Sequence, residues 1–100
     1  SPVTKSETTG ATSYQQSKED ARAARKLQRE VADLETKLQT LEQQATAIQK
    51  QMTAPDVLTD YVKMQKLQTK LDAVQQETKA TEDAWEEKSI QLESMQNESN

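Results

Sequence analysis

Five cations stand close together in this chain: Lys18, Arg22, Arg25, Lys26 and Arg29. They step by 4, 3, 1 and 3, so on an α-helix they fill an arc of roughly 100° on one face. Between residues 18 and 29 five basic side chains outweigh two acidic ones, a local excess of three in a chain of net charge −4. Guanidinium and ammonium groups at this spacing can bind a run of phosphates and release its counterions. No aromatic side chain is interleaved among them, so such contacts would be to a nucleic-acid backbone and would not read sequence. The competing reading is a solvated helix face, partly neutralised by Glu82, Glu86 and Glu87 from a facing helix.

Other chemistries are poorly provided for. The chain has no Cys and no His, which removes thiolate ligands, disulfides, the commonest metal ligand and the usual general base. The acidic run Glu82, Asp83, Glu86 and Glu87 reads as a solvated face. We therefore expect no catalytic residue, no metal site and no cofactor in this chain. No apolar run is long enough to span a membrane, and no leader pattern is present. Because the first residue is Ser1 rather than Met, we expect a cytoplasmic fragment of a longer protein.

The elements that position the cations are legible from an apolar stripe. Ala24, Leu27, Val31, Leu34, Leu38, Leu41, Ala45, Ile48 and Met52 alternate in steps of three and four, the 3.5-residue repeat of a coiled coil. The stripe breaks at Ala54-Pro55-Asp56 and resumes through Met64, Leu67, Leu71, Val74, Thr78, Thr81, Trp85, Lys88, Leu92 and Met95. Only 32% of residues are hydrophobic and one is glycine, too little apolar surface for a layered globular core. Two stripes with one proline break predict an all-α antiparallel two-helix coiled-coil hairpin.

The expected boundaries follow. Residues 1–17 hold eight Ser or Thr with Pro2 and Gly10, and read as a disordered, flexible N-terminal linker. Ser17-Lys18-Glu19-Asp20 fits a capping box. The hairpin then occupies 18–96: a first helix over about 18–52, a hinge over 53–59 with a helical turn between Pro55 and Leu58, and a second helix over about 60–95 capped by Thr59. Residues 97–100 form a frayed tail. A hinge centred on Pro55 makes partner numbers sum to roughly 110. Leu38 then meets Leu71, Leu41 meets Leu67, Ile48 and Met52 meet Tyr61 and Leu58, and Trp85 lies in the seam against Ala24 and Leu27. Thr78, Thr81 and Lys88 weaken the second stripe, so the root, where the termini lie, should be softer than the hinge.

The hinge Pro55-Asp56-Val57-Leu58-Thr59-Asp60-Tyr61, followed by Leu67, Leu71 and Val74 and then Glu82-Asp83-Ala84-Trp85-Glu86-Glu87, together with Lys18 to Glu35, resembles the C-terminal coiled-coil domain of F-subfamily ATP-binding-cassette proteins of the Uup type. The likeness spans residues 18–95. It implies a parent with two ATPase cassettes and no membrane domain, acting on the ribosome or translation, and using ATP and Mg in those cassettes. In Uup-like members the hairpin is linked to DNA binding. The cassettes lie outside this chain, whose one glycine, Gly10, cannot form a phosphate loop. Many relatives carry an aromatic residue just before the first basic cluster; Ser17 and Lys18 stand there instead. The resulting expectation is a non-catalytic interaction arm, a monomeric hairpin attached to parent ATPase domains, with DNA or ribosomal RNA as partner and no membrane. The alternative is a structural coiled-coil module for protein contact or dimerisation.

Overall fold

The computed structural model describes the backbone of residues 2–99 and the side chains of residues 14–97. Three helices follow one another: α1 (Pro2–Met52), α2 (Pro55–Leu58) and α3 (Tyr61–Ser99). The long helices α1 and α3 run side by side and the single turn α2 closes one end, in a rod of 85 × 16 × 14 Å. Among the described residues there is no strand.

The reversal is built without glycine. Pro55 disfavours helical geometry in the residue before it, and Ala54 is extended, with φ −67° and ψ 139°. Helix α1 closes on tight bonds from the Thr53 and Ala54 amides to the Lys50 and Gln51 carbonyls, both 3.1 Å, and the Thr53 hydroxyl also donates to Lys50 at 2.7 Å. Pro55 then opens α2, where a missing N–H costs nothing. The Thr59 hydroxyl and amide both return to the Pro55 carbonyl, at 3.1 and 3.3 Å. No described residue has positive φ, which is why a sequence with a single, distant glycine can turn here.

Helix α3 is capped by Asp60, whose Oδ1 accepts from the Lys63 amide at 3.1 Å, not by Thr59 as its residue type suggests. Thr59 instead terminates α2, and the extra turn shifts the start of α3 by one residue. At the other end the capping box is not a helix start, because α1 is continuous through Ser17. Asp20 accepts from the Gln16 side chain at 3.2 Å instead of reaching back to Ser17. A box marks an N-terminus only where the preceding residues resist helix, and the Tyr14-Gln15-Gln16 stretch does not. The side chains of 1–13 and 98–100 lie outside the described residues, so most of the expected linker and tail falls there.

Every predicted seam position of α1 from Ala24 to Met52 is half-buried or buried, as are those of α3 except Trp85. Burial is deepest at Leu41, Val57, Leu67, Leu71 and Thr81, mostly in the hinge half. The Thr81 hydroxyl is satisfied by the Glu77 carbonyl of its own helix, at 2.7 Å.

The register differs from the predicted one. Lys37 pairs with Glu77, Glu30 with Lys88, and the Trp85 indole donates to Glu35; these numbers sum to between 114 and 120 rather than roughly 110. Trp85 therefore bonds to Glu35 at 3.4 Å instead of lying against Ala24, and is 36% exposed rather than sealed in the seam. The partners of Leu38 and Leu41 move likewise toward the C-terminal side of Leu71 and Leu67. At the hinge, Val57 is the buried plug, while Leu58 and Tyr61 point outward. The Tyr61 hydroxyl accepts from the Gln65 amide at 2.6 Å. The physical cause is α2: folding 55–58 into a turn lays Val57 over the end of the seam and rotates Leu58 away.

The burial gradient predicts unequal costs of truncation. Leu71→Ala, at a buried site, should destabilise by about 2–4 kcal/mol, and Leu27→Ala, at a half-exposed root site, by about 1 kcal/mol. Urea melts followed by helical circular dichroism measure both; equal costs would remove the distinction between hinge and root.

Candidate nucleic-acid interface

Lys18, Arg22, Arg25, Lys26 and Arg29 all lie on α1, and all are exposed. Their helix face is turned away from Ala24 and Leu27, which are half-buried against α3. Arg22, Arg25 with Lys26, and Arg29 thus present cationic groups at successive turns, one per 5.4 Å of rise. The structure brings the five residues together on one surface as the spacing requires.

Neutralisation of this face by Glu82, Glu86 and Glu87 does not occur. The ion pairs among the described residues are Lys37–Glu77 at 3.1 Å, Lys63–Asp56 at 3.4 Å and Lys88–Glu30 at 2.9 Å; none involves the five cations or those three glutamates. The register is the reason. It sets residues 82–87 level with about 30–35 of α1, beyond the end of the basic stripe. Nor do the acidic residues of α3 form a ligand cluster: among the described residues no group of three or more could hold a metal ion.

Glu30, the acid that follows the stripe on α1, is engaged elsewhere. Lys88 occupies a seam position, half-buried, and its ammonium donates to Glu30. This bond holds the Glu30 carboxyl below its ordinary value against the opposing effect of desolvation, and the positive charges of Lys88, Lys26 and Arg29 add to the lowering. The pairing was not read from the sequence, where Lys88 appears only as an interruption of the apolar stripe. A lysine at a seam position with an acid at the edge of the facing helix was the available signal, and only the correct register joins the two.

A carboxylate whose folded pKa is depressed adds stability that is present above the unfolded pKa and is lost as pH falls through the folded one. The melting temperature of the native chain should thus exceed that of Glu30→Gln near neutral pH, and the difference should vanish on acidification below the carboxylate range. A pH series of thermal melts checks this; a difference independent of pH would exclude the Glu30–Lys88 pair as its source.

Among the described residues no helix is long and apolar enough to cross a membrane. A family model described as the ABC transporter C-terminal domain matches residues 22–88. No curated protein and no solved structure gives a match.

Proposed function

Because this chain belongs to the family of ABC transporter C-terminal domains, we propose that it is the non-catalytic interaction arm of a cytoplasmic F-subfamily ATPase, and that its basic stripe binds the phosphate backbone of DNA or ribosomal RNA. The observation that carries this reading is the set of five exposed cations at the root of the hairpin, none of them in an ion pair among the described residues. Cations already paired on the protein gain little by meeting a phosphate. Unpaired ones gain a charge-assisted hydrogen bond and displace condensed counterions.

The mechanism is tethered binding. Attached to ATPase cassettes, the arm acts at a raised effective concentration near whatever nucleic acid the cassettes engage, so weak individual affinity suffices. The stripe provides no donor–acceptor pattern for base edges, so recognition is of charge and spacing. ATP and Mg belong to the cassettes of the parent and take no part in the contact made by the arm.

Titration of the chain into duplex DNA and into structured RNA at low salt should give weak binding. On duplex DNA its logarithm should fall steeply with log salt, with a slope of at most about −4 to −5 if all five cations reach phosphates. Replacing Arg22, Arg25 and Arg29 by Glu should abolish it. No binding at low salt, or unchanged binding by the triple variant, would overturn the proposal.

A further inference from the structure

The hinge end of the rod carries apolar side chains that folding does not use. Among the described residues the exposed large apolar side chains are Tyr14, Leu58, Tyr61, Val62, Trp85 and Ile90, and three of these six fall within five consecutive residues. Leu58, Tyr61 and Val62 are 64%, 75% and 60% exposed, whereas Val57 beside them is 7% exposed and closes the end of the seam. Single exposed apolar residues are ordinary on a protein surface, but a cluster rimmed by polar groups marks a contact site. The Gln65 side-chain amide donates to the Tyr61 hydroxyl at 2.6 Å. The most exposed of the three is thus ordered before any partner arrives, and a contact through it costs less side-chain entropy.

The charges around this cluster define the chemistry of the partner. Tyr61, Val62, Gln65, Lys66, Thr69 and Lys70 line one shallow depression on α3, with no acid among them. The carboxylates of this end are engaged within the chain. Asp56 meets the Lys63 ammonium at 3.4 Å, Asp60 the Lys63 amide at 3.1 Å, and Asp72 the Gln68 side chain at 2.9 Å. Lys66 and Lys70 are exposed and belong to none of the ion pairs among the described residues. Gln65 and Thr69 end the apolar surface near the start of α3, which leaves too little of it for a helix face lying on a membrane. Leu58 and Val62 are aliphatic and offer burial, not a stacking platform for bases. A protein contact uses all five side chains: apolar groups enter a cleft, and two lysines meet carboxylates at its rim. We propose that the hinge end is a docking knob for another protein, whose surface presents an apolar cleft edged by Asp or Glu. Leu58, Tyr61 and Val62 are the anchors, and Lys66 and Lys70 set the orientation. This surface is separate from the basic stripe, since Arg29 lies about 35 Å along α1 from Met52, and it does not depend on nucleic-acid binding.

A photo-cross-linking phenylalanine analogue in place of Leu58, or in place of Val62, tests this in extract of the cells from which the chain comes. After irradiation, mass spectrometry should map the conjugate to one protein, on a segment where Asp and Glu outnumber Lys and Arg. The yield should fall at least about tenfold with Lys66→Glu plus Lys70→Glu. Purified partner with those carboxylates replaced by Lys should recover the reversed variant. The same analogue at Gln76, exposed and about 21 Å further along α3 than Val62, should give no conjugate. Arg22, Arg25 and Arg29 to Glu, or nuclease treatment, should leave the yield unchanged, separating this result from phosphate binding. Leu58→Ser with Tyr61→Ser and Val62→Ser should abolish partner binding and leave the urea midpoint nearly unchanged, as for groups that the fold does not bury. Four outcomes would overturn the proposal: no conjugate; a conjugate with nucleic acid, lipid or a second copy of this chain; a yield indifferent to the lysine reversal; or a large fall in the urea midpoint of the triple serine variant.

Discussion

Every later feature of this hairpin depends on the conformation that Pro55 imposes on Ala54. Extended backbone at one residue ends α1, and the proline ring then starts a new helical turn instead of a loop. That turn lowers Val57 onto the end of the seam and delivers Asp60 as the cap of α3. The geometry of six residues thus sets the axial offset of two helices tens of ångströms long. Along most of the seam the offset is otherwise weakly specified, because leucine opposite leucine packs acceptably after a slip of one heptad.

The consequences of that offset are electrostatic. It brings Lys88 to Glu30 and Lys37 to Glu77, pairs of the kind that select a register at modest cost in stability. It also carries Glu82, Glu86 and Glu87 past the basic stripe instead of opposite it. Both sets of charges are thereby left facing outward: the cations on α1 and Glu82, Glu86 and Glu87 on α3. The surface chemistry of the rod is therefore a product of the hinge as much as of composition.

This explains which parts of the structure could be read from the sequence. Seam membership depends only on the period, and a shift of about one heptad leaves Leu41, Leu67, Leu71 and even Thr81 on the seam. Facing partners depend on the absolute offset, so the period with a hinge centred on Pro55 places Trp85 against Ala24, whereas it lies beside Glu35. Helix ends are decided by one or two hydrogen bonds, and Thr59 and Asp60 are both good caps. Asp60 takes the role because Thr59 is already bonded to Pro55. The five cations were legible because they lie on one element, where 3.6 residues per turn fixes their relative directions. Whether acids from another helix reach them was not, since that is a question of register.

A rod this thin has almost no interior, and that limits how it can act. Most of its few apolar side chains are taken up by the seam, with Leu58, Tyr61, Val62 and Ile90 left exposed, so folding leaves two largely polar outer surfaces whose information is the order of their charges. On α1 that order is a block of one sign, suited to a uniformly charged polymer.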